Sequence, residues 1–219
     1  MGAGTVMRVP FSHDQFLNVF ANYNTALWPV VIVLWVATLA GSVQLVRGRA
    51  RGPGLAALLT LHWAWSGLVY HGLYFSGINP AAPAFAVLFV IQAVAFAWTG
   101  VIRQRLAFAW SSTLRHALAG VLLVSALAYP GLALGTVADW PRAPLFGVPC
   151  PTMLFTASCL LTAVPPVPRW LFVIPVLWSF VGGSAAWLLR VPPDLMLFVA
   201  GAALVAFAVA PHALDRRPA

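Results

Sequence analysis

The 219-residue chain has no lysine, four acidic residues and two cysteines. Each scarcity excludes a chemistry. Without lysine there is no Schiff base to retinal or pyridoxal phosphate and no phosphate-loop lysine. Seven apolar segments therefore do not make this chain a rhodopsin. Four acidic residues leave little material for paired-carboxylate chemistry, and no buried carboxylate is expected to drive proton- or sodium-coupled pumping. Cys150 and Cys159 are too few for a disulfide framework. Charged residues make up 7% and hydrophobic ones 62%, where soluble domains average roughly 25% and 45–50%. That charge does not cover a water-facing surface.

What is present is apolar length. Seven segments, about 26–46, 55–75, 83–102, 116–137, 152–164, 170–189 and 195–211, approach the roughly 20 residues that span a bilayer. The fold class expected is all-α: a polytopic membrane bundle of about seven transmembrane helices. Short alternating segments of the β-barrel kind are absent. The fifth segment is short and needs residues 146–151 to complete a crossing. Before the first, Ser12 and Gln15 form a capping box with Phe11 and Phe16 placed as a staple, and Phe16, Phe20 and Tyr23 share one face. This reads as a short interfacial amphipathic helix. The organisation expected is a surface segment over 1–24, one transmembrane domain over 25–211 and a tail over 212–219.

The net charge of +8 is carried entirely by arginine. Arg47, Arg49, Arg51, Arg103, Arg105, Arg115, Arg169, Arg216 and Arg217 all fall on one side of seven spans, and Arg8, Arg142 and Arg190 on the other. By the positive-inside rule the C-terminus is cytoplasmic and the N-terminus outside. The arginines thus report topology in a lipid bilayer, and no nucleic-acid partner is expected. Trp28, Trp98, Trp110, Trp140, Trp170 and Trp187 lie near span ends as interfacial anchors. Small residues spaced by four, Ser179 and Gly183, Gly182 and Ala186, then Ala202, Ala206 and Ala210, suit close helix packing or a homodimer face.

Chemistry concentrates in two stretches. In Leu61–Pro80, LHWAWSGLVYHGLYFSGINP, His62 and His71 are nine residues apart and so point to opposite faces of an α-helix. His62, Ser66 and Tyr70 share one stripe; Trp63, Gly67, His71 and Tyr74 share another. Polar groups at membrane depth face the bundle interior or a wet cavity, so one stripe is a candidate cavity wall, and interhelical hydrogen bonding is the structural alternative. Asn79 before Pro80 marks a turn, a helix cap or a cavity mouth. In Phe146–Cys159, FGVPCPTMLFTASC, Pro149 and Pro151 hold off a regular helix until about Thr152 and put Cys150 at its capping position. Thr152, Thr156 and Cys159 then share a stripe, as a solute-facing surface or as threonines bonding back to their own carbonyls. Gln44 and Gln92 suit interhelical contacts, and Asp194 suits a helix start with Arg190 as ion-pair partner. A Cys-Pro pair within a span resembles the soft-metal site of copper-type P-type ATPases, but neither the phosphorylated aspartate nor the nucleotide domain of those pumps is present.

Taken together, HWAWSGLVYHGLYFSGINPAA, FGVPCPTMLFTASCLL and PRWLFVIPVLWSFVGGSAAWLL resemble an uncharacterised bacterial family of integral membrane proteins, a domain of unknown function whose members are sometimes labelled permeases. The resemblance runs from about Phe11 onward. It implies a small protein of the bacterial inner membrane and brings no catalytic residues with it. The leading expectation is a permease or solute-binding membrane protein, with a cavity lined by His62, Ser66, Tyr70, His71, Asn79, Thr152 and Thr156. Two other classes stand beside it. One is a redox or metal protein using His71 (with His116) for haem b or Cys150 for a soft metal. The other is a non-catalytic subunit of a larger membrane complex. No catalytic residues are expected.

Overall fold

In the computed structural model, residues 10–211 are described. Arg8, His212, Arg216, Arg217 and the tail over 212–219 lie outside the described residues, so the expectations placed on them are not addressed. The described chain is helical, with no β-strand beyond isolated bridges. Seven α-helices form: α1 (His13–Val46), α2 (Gly52–Trp65), α3 (Ala82–Phe96), α4 (Leu114–Ala133), α5 (Pro149–Thr162), α6 (Val173–Leu189) and α7 (Met196–Val209). Five helical stretches are long and apolar enough to cross a membrane: α1, α3 with its extension, α4, α6 with its lead-in turn, and α7 with its own.

The N-terminal segment is not a separate surface helix. The Ser12–Gln15 capping box starts α1, which then runs unbroken for 34 residues, about 50 Å at 1.5 Å per residue. No glycine or proline interrupts residues 13–28, and Asn24, which could have capped a second helix, is occupied elsewhere. Asn24 donates through Nδ2 to the carbonyls of Pro141 at 2.7 Å and Ala143 at 2.8 Å. Phe16, Phe20 and Tyr23 face protein rather than lipid: Phe20 stacks on Tyr70 and Tyr23 meets Tyr74 edge-on.

Neighbouring helices pack in the cyclic order α1, α2, α3, α6, α7, α4 and back to α1, enclosing α5. All of α5 except the half-buried Cys150 is buried. At 14 residues it is too short for a crossing of roughly 20, but protein, not lipid, surrounds it. Its threonines find partners inside, the buried Ser158 hydroxyl none: Trp63 Nε1 donates to Thr156 Oγ1 at 2.9 Å, and Ser66 and Thr152 share a hydrogen bond of 3.1 Å. The chain entering α5 is irregular, and Tyr23, Asn24 and Ser66 side chains donate to its carbonyls. Irregular backbone at such depth is stable only when protein or water completes its hydrogen bonds.

The arginines sort to the two ends of the bundle. The α1–α2, α3–α4 and α5–α6 connections meet at one end: Gly52 lies against the Leu106 carbonyl, Val164 N–H donates to Ala107 at 2.8 Å, and Arg115 Nη1 donates to Ala163 at 2.9 Å. Arg142 lies at the other end, paired with Asp14 at 2.6 Å. The flanks between carry exposed apolar side chains such as Val33, Leu73, Val94 and Val124. Trp28, Trp98, Trp140, Trp170 and Trp187 are about half exposed or more. The small residues of α6 are used within the chain: a Cβ on Gly182 would meet Leu197 at 2.9 Å, and one on Gly201 would meet Ser179 at 2.8 Å. Ala202 on α7 and Ala210 just past its end remain exposed.

Candidate functional site: an aromatic cavity closed by Asp194

After Trp65, α2 continues as π-helix through Ser66–Tyr74, and α3 continues likewise through Ala97–Ile102. The Phe75 N–H reaches the Tyr70 carbonyl, five residues back. A π turn rotates each residue by less than the roughly 100° of an α-helix. In this stretch the successive residues Tyr70 and His71, one from each stripe, line one cavity. Gly67 allows the approach that this needs, since a Cβ there would meet Phe89 Cβ at 2.9 Å and the Ala86 carbonyl at 3.1 Å.

That cavity has a volume of about 210 Å³ and lies in the half of the bundle away from the arginine-rich loops. Its walls are mainly aromatic: Phe11, Phe16 and Phe20 from the N-terminal end, Phe75 and Phe85 from the α2–α3 region, and Trp178 from α6. Asn79 reaches it from the α2–α3 turn, where its side chain also accepts the Ala81 N–H at 3.0 Å. Cys150 reaches it from the start of α5. Val148 is the capping residue of that helix and Cys150 its second position, because the helix begins one proline earlier than expected. Pro149 and Pro151 each remove an N–H that would otherwise lack a partner in the first turn.

The polar centre of the cavity is one that sequence patterning missed. Asp194, 5% exposed, lines the wall just before α7 and accepts the Tyr129 hydroxyl at 2.5 Å. The Cys150 thiol lies beside the same carboxylate. Arg190 caps α6 in a left-handed conformation with φ of 55° and forms no ion pair with Asp194. The expectation that no carboxylate is buried is thereby overturned. Distance along the chain hid the arrangement, since Tyr129 and Asp194 are 65 residues apart.

His71 is 1% exposed and ringed by aromatics, with centroids at 4.8 Å to Phe89 and 5.1 Å to Trp178. Neither of its ring nitrogens has a hydrogen-bond partner among the described residues, nor does Trp178 Nε1. His62, Ser66, Thr152 and Thr156 lie elsewhere. His62 Nε2 pairs with Thr38 Oγ1 at 2.7 Å, tying α2 to α1, with Phe146 and Phe155 against its ring. Thr156 bonds back to the Thr152 carbonyl at 2.7 Å while accepting from Trp63. These four residues form interhelical joints beneath the cavity rather than its wall. Gln92 is also a joint, donating to the Leu171 carbonyl at 3.1 Å, whereas Gln44 is exposed.

Among the described residues no three His, Cys, Asp or Glu side chains gather to hold a metal ion. His116 is engaged by Ser111 and Thr113 at the arginine-rich end and does not line the cavity with His71.

The fold and cavity define an all-helical bundle with helices of membrane-crossing length and an internal aromatic chamber. The chain belongs to a family of unknown function, DUF6064, whose model matches residues 13–217. No match was found among curated proteins or among solved structures.

Proposed function

We propose that this protein is a multi-pass membrane protein that binds a small solute in the aromatic cavity. The observation that carries the reading is convergence: side chains from α1, α2, α3, α4, α5, α6 and the lead-in to α7 meet around one chamber. Helical bundles place ligand sites between helices in this way. Apolar flanks and the arginine-rich end support a bilayer location, with that end cytoplasmic and the cavity on the outer half. The joints at His62, Trp63 and Ser66 fill the bundle beneath the cavity. Solute therefore enters and leaves from the outer half, and passage across the membrane, as a permease requires, takes a second conformation. A second copy of the chain would find exposed small residues at Ala202 on α7 and at Ala210 just past its end.

Cys150 gives a test that needs no known ligand. It lines the cavity, while Cys159 is fully buried. In sealed vesicles of known orientation, a small cationic, membrane-impermeant methanethiosulfonate should modify Cys150 from the outer side and leave Cys159 unmodified. Equal resistance of both thiols in folded protein, or modification of Cys150 from the arginine side alone, would overturn the reading.

A further inference from the structure

We propose that the solute is a small organic ammonium ion that also carries a hydroxyl, held by the Asp194 carboxylate and the aromatic walls. This rests on the cavity being a solute site. The lining carries one carboxylate and, among the described residues, no arginine. The neighbours of Asp194 are a phenol and a thiol, neither of which brings a positive charge. A carboxylate taken from water into such a place is costly unless a cation accompanies it. The same chamber is lined by Tyr70, Phe75, Phe85 and Trp178, and aromatic rings attract alkylammonium groups through their quadrupoles. An anionic solute would meet the carboxylate in a chamber without a compensating positive charge. A purely apolar solute would leave the carboxylate, the His71 nitrogens and Trp178 Nε1 without new partners. His71 and Trp178 line the cavity with ring nitrogens that are unpartnered and closed off as the side chains stand, and a small turn of either ring would let a ligand hydroxyl donate to a His71 nitrogen or accept from Trp178 Nε1.

The probes are choline and its neutral carbon isostere 3,3-dimethyl-1-butanol, which share size and hydroxyl and differ in charge. They are titrated calorimetrically into the full chain purified in a non-ionic detergent. Choline should bind on the order of tenfold or more tighter than the isostere, and Asp194→Asn should bring the two together at the weaker value. Equal binding of the two by the unaltered protein would overturn the ammonium assignment and leave the cavity reading standing. A preference for choline that survives in Asp194→Asn overturns the role of the carboxylate. Failure of choline to bind, in protein whose Cys150 is modified from the outer side, also overturns the assignment; absence of that modification points instead to failure of the cavity reading. Should Asp194→Asn not fold, the comparison in unaltered protein still decides, and Trp178→Leu should weaken choline more than the isostere.

Discussion

Tyr129 on α4 donates its hydroxyl to Asp194, 65 residues further along, at 2.5 Å inside the bundle. Both residues are almost wholly buried. A hydrogen bond to a buried acceptor of this kind contributes about 1–3 kcal/mol, chiefly because the acceptor loses water on burial. Tyr129→Phe should destabilise the folded protein by that amount in detergent. In a cycle with Asp194→Asn, the two changes should couple by at least about 0.5 kcal/mol. Simple additivity would show that the pair does not act as a unit.

His71 should behave in the opposite sense. Its imidazole sits among Phe75, Phe85, Phe89 and Trp178 with both nitrogens unpartnered. Such a group costs stability where it stands. His71→Phe should leave thermal stability unchanged or raise it, while removing any preference for choline over tetramethylammonium, which lacks the hydroxyl. A marked fall in stability would place a structural partner on the ring.

His62→Ala should lower stability, because it breaks the α1–α2 link to Thr38 and opens space between Phe146 and Phe155. The loss should be roughly 2–4 kcal/mol, from the lost hydrogen bond together with the cavity left behind. Solute affinity should change little in whatever protein remains folded. A selective loss of binding at full stability would return His62 to the site.

Gly147 has φ of +74°, and a Cβ there would meet the Tyr23 hydroxyl at 2.5 Å and Trp65 Nε1 at 3.1 Å. Gly147→Ala combines left-handed strain of about 1–2 kcal/mol with that collision. It should unfasten the loop before α5, raising proteolysis between Ala138 and Val148. Gly131→Ala, where a Cβ meets nothing within 4 Å, is the matched control. Equal resistance of the two variants would contradict this account of the loop.

Sidedness can be read with single cysteines at the exposed Gly48 and Gly77 in a background lacking Cys150 and Cys159. Impermeant maleimide applied outside intact cells should reach position 77 and not 48. The reverse pattern would invert the orientation that the arginines indicate.

The sequence by itself determined the helices. Apolar length and the Ser12 capping box are local properties, and each acts through contacts within a few residues. The sorting of arginines to two ends follows from helix count alone. The tertiary structure decided everything that depends on phase and distance. Residues 13–24 became part of α1 because the carbonyls of Pro141 and Ala143 took the side chain of Asn24. Tyr70 and His71 share one wall where α2 continues as π turns packed against Phe89, a local geometry that no 100° periodicity contains. Asp194 read from sequence as a helix-start residue near Arg190. Only the folding of α4 and α5 against it placed a phenol and a thiol on its carboxylate and carried it into the cavity, because burial is a property of neighbours and not of spacing.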